Sequence, residues 1–148
     1  MPKAKTAVRR KPALLDNSPS LVAVRRSRIN GRGLFAQGDL PGRRKLGEVE
    51  GEPVRLPQAW KTVEGRDKIY LIQLTSRTGL DCSGDRRFAF LNHSCAANCY
   101  MRIHNRRVEI YTRRPIPAGT ELTVDYGATP HQDGMRCRCG APGCKGRL

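Results

Sequence analysis

Three of the chain's six cysteines lie within eight residues near the C-terminus, in the segment CRCGAPGC at 137–144. Its glycines let the backbone bend sharply enough for three thiolates to converge on one metal ion. Tetrahedral zinc needs a fourth ligand, and the segment has no further cysteine, so Cys82, Cys95 and Cys99 are the candidates. The spacing therefore predicts a zinc ion that joins the end of the chain to an earlier part of the fold.

A disulfide framework is the alternative use of these cysteines, and it is typical of secreted chains. The basic N-terminus is not followed by the apolar stretch of a signal peptide, and no apolar run approaches the roughly 18 residues of a membrane helix. We therefore expect zinc rather than disulfides. We also expect an intracellular protein, in the cytoplasm or in the nucleus or nucleoid, with no membrane partner.

A length of 148 residues fits a single domain, and aromatic residues make up only 5% of the chain, so the core must consist mainly of Leu, Ile, Val and Ala. Short runs with β-propensity alternate with Gly, Pro and Asn turns. This pattern predicts a mostly β protein built of several small sheets. The expected strands are 21–24, 46–54, 69–74, 100–104, 108–112 and 122–124, and the one expected helix is 57–66.

The chain is strongly basic, with 28 Lys and Arg against 13 Asp and Glu and a net charge of +15. Residues 1–19 lack an apolar period and are rich in Lys, Arg, Pro and Ser, which predicts a disordered basic tail. The charge has two interpretations of equal weight: a solvated tail, or a functional patch that attracts nucleic acid.

Two further segments place polar groups beside apolar residues, FLNHSCAANC at 90–99 and IPAGTELTVDYG at 116–127. Buried polar groups need hydrogen-bonding partners, so these segments are candidates for a functional site. Together with GRGLFA at 31–36 and the cysteine segment, they resemble in fixed order the SET-domain family of protein-lysine methyltransferases with a post-SET zinc-binding tail. The resemblance runs from about Leu21 to the C-terminus.

This resemblance implies a SET-type fold of several small sheets with a knotted C-terminal segment and a post-SET zinc loop. It implies a catalytic SET domain over residues 20–128 and a zinc-binding segment over 129–148. It also implies that Cys95 is the fourth zinc ligand. The expected metal ligands are then Cys95, Cys137, Cys139 and Cys144.

The implied activity is transfer of methyl groups from S-adenosylmethionine to a lysine side chain of a protein. In the family, the glycine-rich turn and the Asn-His pair lie along the cofactor, and a tyrosine near the end of the domain orients the reacting amine. The expected catalytic residues are Tyr126 and Tyr70. The expected cofactor-binding residues are Asn30, Gly31, Arg32, Gly33, Tyr70, Asn92, His93, Tyr126 and Arg138.

Val124 occupies a family position that influences how many methyl groups are added, and we expect its side chain to flank the lysine channel. The expected substrates are histone-like, ribosomal or DNA-bound proteins, and the basic surface could contact nucleic acid or a nucleosome. The alternative function is a basic, zinc-containing nucleic-acid-binding module with a vestigial cofactor site. The sequence offers it no helix-turn-helix and no aromatic stacking platform.

Overall fold

The computed structural model describes residues 20–66, 68–127 and 135–148. The basic tail expected at 1–19 lies outside these ranges, so its disorder stays a prediction. The boundary expected between the SET domain and the zinc-binding segment, at 128/129, also lies outside the described residues. No helix in the described ranges is long and apolar enough to cross a membrane.

Short strands dominate the described residues, and they form three small sheets. This confirms the mostly β fold that the sequence predicts. The helical elements are α1 (Leu56–Val63) and a short 3-10 helix (Phe88–Phe90). The strands are β1 (Val22–Arg26), β2 (Arg32–Ala36), β3 (Lys45–Glu48), β4 (Glu52–Arg55), β5 (Leu71–Gln73), β6 (Thr78–Asp81), β7 (Asn92–His93), β8 (Cys99–His104), β9 (Arg107–Thr112) and β10 (Glu121–Val124).

The first sheet has four strands in the order β1-β2-β10-β7. Strand β10 pairs antiparallel with β2 and parallel with β7, where Val124 lies opposite His93. The last strand of the described residues therefore lies between two segments that precede it by long stretches of sequence. This arrangement brings the polar segment around His93 beside the residues that follow β10.

The second sheet has the order β3-β9-β8, and β8 and β9 form a hairpin. The hairpin turns at Asn105 and Arg106, which have φ values of 48° and 61°. Two successive residues with positive φ match the right-handed twist of a two-residue hairpin turn, and Asn is one of the side chains that tolerate it best. The sequence predicts both strands correctly to within one residue.

The third sheet has the order β4-β6-β5 and carries helix α1 at the end of β4. Pro57 stands in the first turn of α1, where its missing N–H costs nothing. The helix ends before Gly65, whose φ of 75° is a left-handed conformation that glycine adopts without strain. The observed helix is therefore three residues shorter at its C-terminal end than the sequence predicts.

Fully buried aliphatic side chains form one core beneath the sheets, as the low aromatic content predicts. Leu34 of β2, Ile110 of β9 and Leu122 of β10 have no exposed surface. Phe88 is the buried aromatic residue of this cluster within the described part of the chain. The core therefore ties the first and second sheets together.

The sequence misses three strands and merges two others. The expected strand 46–54 is interrupted at residues 49–51, and its two halves join different sheets, β3 beside β9 and β4 beside β6. Strand β2 looks like a turn because Gly31 precedes it and Gly33 lies within it, yet it pairs with β1 over five residues. Strands β6 and β7 are four and two residues long, too short to give a periodic signal.

Candidate active site and metal centre

A pocket of about 960 Å³ opens between the turn before β2, strand β5, the 3-10 helix and the C-terminal segment. Its lining combines apolar side chains with a few polar and charged groups, as is typical of small-molecule sites. The expected site residues in the lining come from five separate segments of sequence. The expected site residues in the lining are Asn30, Gly31, Arg32, Tyr70, Asn92, His93, Tyr126 and Arg138.

The turn at this pocket is held by the buried side chain of Asn92 on β7. Its Nδ2 atom lies 3.2 Å from the carbonyl oxygen of Asn30 and 3.1 Å from that of Arg32, the two residues that flank Gly31. Gly31 has a φ of 47°, a backbone conformation that favours glycine. Asn92 therefore fixes the backbone of the turn rather than only presenting a polar group to the pocket.

The carboxylate of Glu121 completes this hydrogen-bond network. It accepts bonds from the Ser27 hydroxyl at 2.7 Å and from Asn92 Nδ2 at 2.9 Å. The Ser27 backbone N–H in turn donates to the carbonyl oxygen of Gly31 at 2.8 Å. Ser27 and Glu121 are functional residues that the sequence reasoning missed, although Glu121 stands inside a motif that it singled out.

Gly33 lies outside the lining of the pocket, although we expected it to approach the cofactor. A Cβ at this position would lie 2.2 Å from Glu121 Oε1. A side chain here would displace the carboxylate of Glu121 from its present position, so glycine leaves room for it. Gly33 thus serves the network under the turn.

His93 is held by the backbone that follows β10. Its Nδ1 accepts a hydrogen bond from the backbone N–H of Tyr126 at 3.0 Å and lies 3.7 Å from a carboxylate oxygen of Asp125. Burial lowers the pKa of His93, and the nearby Asp125 opposes that shift. The imidazole is therefore neutral at pH 7, which agrees with Nδ1 acting as an acceptor.

The phenol of Tyr126 donates a hydrogen bond to the carbonyl oxygen of Leu91, just before β7. The ring packs at an angle on His93, with centroids 5.4 Å apart. Although 41% of the residue's surface is exposed, burial of the hydroxyl raises its pKa, and the neighbouring Cys82 and Tyr70 add to the shift. Tyr126 therefore keeps its proton. Its oxygen also has lone pairs that can accept a hydrogen bond from a group bound in the pocket.

Tyr70 lines the same pocket from the residue before β5 and packs against the core. Its backbone carbonyl accepts a hydrogen bond from the Cys82 N–H at 2.8 Å and another from the Cys82 thiol at 3.2 Å. Burial raises the pKa of Cys82 to about 12. Cys82 therefore fixes the backbone of Tyr70 as a neutral thiol and is not part of the metal centre.

Four cysteines meet at the edge of the pocket, and all of them are half-buried. They are Cys95, Cys137, Cys139 and Cys144, and their Sγ atoms all lie within 4.8 Å of one another. All six cysteines of the chain are free, so no disulfide competes for these sulfurs. The expected set of four ligands is thus brought together, with the fourth contributed from across the fold.

The cluster has the dimensions of a tetrahedral thiolate site. The Sγ atom of Cys95 lies 3.9 Å from those of Cys137 and Cys144. Four Zn–S bonds of about 2.3 Å in tetrahedral geometry place the sulfurs roughly 3.8 Å apart. Backbone N–H groups also approach the sulfurs, among them that of Gly146, 3.3 Å from Cys144 Sγ. These residues fit a structural zinc ion.

The segment that carries three of these cysteines also covers the pocket. Its lining residues there include Met135, Arg136, Arg138 and Leu148. The segment is pinned at its ends, because the Leu148 N–H donates to the carbonyl oxygen of Met135 at 2.8 Å. Because Cys137 lies in the lining as well, the metal centre and the pocket share a wall.

Val124 has no exposed surface and belongs to the hydrophobic core. It does not line the pocket, although we expected it to flank a lysine channel. Its side chain packs into the core cluster, whereas Tyr126 lies two residues beyond the end of β10. The structure therefore assigns Val124 to packing.

A β-rich fold of three small sheets, a pocket with a tyrosine at its wall and a four-cysteine cluster at its edge define a small enzyme-like domain whose cysteines could hold a metal ion. Residues 31–127 match the SET domain. The chain belongs to the SET-domain family.

The chain is similar to histone-lysine N-methyltransferases. It is 33% identical to "Histone-lysine N-methyltransferase set-2" of Caenorhabditis elegans over 138 residues, which is 86% of this chain and 9% of that protein. It is 36% identical to "Histone-lysine N-methyltransferase, H3 lysine-4 specific" of Schizosaccharomyces pombe over 132 residues, covering 82% of this chain and 14% of the relative. The protein of the same name from Saccharomyces cerevisiae is 34% identical over 147 residues, with 90% and 14% covered. The chain thus spans only a small part of each relative.

Proposed function

We propose that the chain is a protein-lysine methyltransferase that uses S-adenosylmethionine. The observation that carries this proposal is the convergence of the glycine turn, the Asn92-His93 pair and Tyr126 on one pocket. Membership of the SET-domain family supports it, as do relatives whose names describe histone-lysine methyltransferases.

The residues of the pocket suit such a cofactor in their chemistry. Asn92 holds the turn at Gly31. Because Gly31 has no side chain, the cofactor can approach the backbone closely there. The cationic side chains of Arg32, Lys68 and Arg138 line the same pocket and can attract a carboxylate. When bound, the cofactor supplies a methyl group activated on a sulfonium.

The substrate lysine must reach the site as a neutral amine, since its free pKa is about 10.4. A desolvated pocket favours loss of that proton. The Tyr126 hydroxyl donates its hydrogen bond to the carbonyl oxygen of Leu91. The phenol oxygen can therefore accept a hydrogen bond from the amine and orient the amine nitrogen. Tyr70 lines the same pocket and can narrow the approach of the amine.

The proposed metal is one zinc ion on the four cysteines Cys95, Cys137, Cys139 and Cys144. It has a structural role, since four thiolates leave no open coordination position for a substrate. Its function is to hold the C-terminal segment against the pocket. The proposed substrates are lysine-rich, histone-like or nucleic-acid-bound proteins inside the cell.

The decisive test combines calorimetric titration with S-adenosylmethionine and transfer of a labelled methyl group to a histone H3 tail peptide and to purified ribosomal proteins. We expect stoichiometric cofactor binding by the zinc-loaded chain, and label on lysine in at least one substrate. A zinc-loaded chain that binds DNA but not the cofactor would instead support the nucleic-acid-binding module with a vestigial site.

A further inference from the structure

Most of the positive charge lies in the part of the chain that the structure describes. The described residues contain 23 Lys and Arg against 10 Asp and Glu, a net charge of +13, whereas residues 1–19 contain five against one, a net charge of +4. The two interpretations of the charge are therefore not of equal weight. A charge of this size on a folded surface can attract a polyanion along a defined face.

Four exposed arginines are concentrated at one end of the second sheet. We call them the basic ridge: Arg43, Arg44, Arg113 and Arg114. They come from two loops in contact, because a Cβ on Gly42 would lie 3.4 Å from the backbone of Arg114. In the described part of the chain, none of the four has a carboxylate within 4 Å, whereas Lys45 and Arg107 of the same sheet are paired with Glu109 and Glu48.

The two loops are held together by the buried residue Thr112, at the end of β9. Its backbone N–H donates to the carbonyl oxygen of Arg44 at 3.0 Å, and its backbone carbonyl accepts from the N–H of Arg43 at 2.9 Å. Its hydroxyl accepts from the Arg44 N–H at 2.9 Å and donates to the carbonyl of Pro41 at 2.6 Å. The backbone of the basic ridge is therefore fixed on a rigid element.

Two of the four side chains are also oriented in advance. The Nε atom of Arg113 donates to the carbonyl of Cys99 at 3.3 Å, and its guanidinium lies over the Tyr100 ring, 5.6 Å from the centroid. An Nη atom of Arg114 donates to the carbonyl of Ala97 at 3.4 Å. Each guanidinium has five N–H donors, so most remain available to a ligand, and less side-chain freedom is lost on binding.

We propose that the basic ridge binds the phosphate backbone of a nucleic acid. All four members are arginines, whose planar fork matches the oxygens of a phosphate. A protein partner would need an apolar anchor, but the exposed large hydrophobic residues of the described ranges are Ile103 and Tyr126, and both line the pocket instead. The contacts involve phosphates alone, so binding does not depend on base sequence.

The basic ridge is separate from the proposed active site, since none of its four arginines lines the pocket. A bound nucleic acid therefore leaves the pocket accessible, and the chain can act on a substrate protein that is carried by the same nucleic acid. This inference does not depend on the proposed activity. A chain without methyl transfer would bind nucleic acid through the same surface.

The test is the salt dependence of binding to a fluorescent 20-base-pair DNA duplex, measured by anisotropy with the full chain. The ridge variant carries Arg43→Gln and Arg44→Gln, two residues with no side-chain hydrogen bond in the described part. The matched control carries Arg77→Gln and Arg86→Gln. These two arginines are exposed and lie outside the ridge, and their substitution removes the same charge. Melting temperatures of both variants verify that they are folded.

We expect the ridge variant to lose about tenfold or more in affinity near 0.1 M salt, with a slope of log K against log salt that is smaller by roughly 2. The control should keep the parental slope and lose little affinity. Arg113→Gln with Arg114→Gln should reproduce the ridge result. Equal losses in the ridge and control variants would overturn the proposal, as would abolition of all binding by deletion of residues 1–19.

Discussion

The side-chain amide of Asn92 donates to the carboxylate of Glu121 at 2.9 Å, across the adjacent strands β7 and β10. The same amide reaches the backbone of the turn at the pocket, so Glu121 acts on that turn through Asn92. We expect Glu121→Gln to weaken S-adenosylmethionine binding about tenfold, because a charge-assisted hydrogen bond is worth about 1.5 to 3 kcal/mol. Calorimetric titration measures the change in affinity.

The matched control for this variant is Glu109→Gln, which removes a carboxylate that pairs with Lys45 on another sheet. It should leave cofactor affinity unchanged. If Glu121→Gln binds the cofactor as tightly as the parent does, the network does not position the turn.

The raised pKa of Tyr126 leads to a prediction about pH. Burial of the phenol favours its neutral form, so between about pH 6 and 9 it neither gains nor loses a proton. We expect Tyr126→Phe to reduce methyl transfer by about 10- to 100-fold by loss of one positioning hydroxyl, with the fold retained. The rate of both proteins should rise with pH to the same extent, because the group that titrates is the substrate lysine.

Initial rates from pH 6 to 9 on a peptide substrate check this prediction, with Tyr111→Phe on β9 as the control. A Tyr126→Phe protein whose rate no longer depends on pH would identify the phenol as a titrating base, contrary to our assignment.

The four-cysteine cluster predicts one equivalent of zinc per chain, and loss of cofactor binding when a strong chelator removes it. Thiol labelling separates the two classes of cysteine. Burial raises the pKa values of Cys82 and Cys99 to about 12, so at pH 8 both stay neutral and unreactive in the native chain. We expect four labelled thiols after chelation, and six only after denaturation.

Mass spectrometry of alkylated peptides counts these thiols, and elemental analysis counts the metal. Cys95→Ser should release zinc, while the control Cys82→Ser should retain it. Retention of a full equivalent by Cys95→Ser would exclude Cys95 as a ligand.

The core position of Val124 predicts that enlargement is costly. With no exposed surface at this residue, we expect Val124→Tyr to destabilise the fold by about 1 to 3 kcal/mol through overpacking. Val54→Tyr, at a half-buried position on β4, should cost less. Thermal unfolding compares the two. If Val124→Tyr leaves the melting temperature unchanged and shifts the distribution of methylated products, Val124 lines a lysine channel and our assignment to the core is wrong.

The sequence predicts the metal cluster and much of the pocket because their residues stand in short, ordered motifs. It predicts poorly where distant segments decide the outcome. The role of Ser27 depends on Glu121, 94 positions away, and a single serine gives no local sign of that partner. Likewise, Gly33 looks like a site for close cofactor approach, and only the position of the carboxylate opposite it shows another reason for glycine.

Strand β10 is flanked on both sides, by β2 and by β7, and it carries Glu121 while leading directly to Tyr126. Glu121 and Leu122 pair with β2, and Thr123 and Val124 pair with β7, so each of the four residues opens only when the strand separates from one of these neighbours. Its amides should therefore be among the slowest to exchange with deuterium. If binding at the pocket is accompanied by movement, we expect it in the segments around the pocket and not in the strand that carries Glu121 and precedes Tyr126.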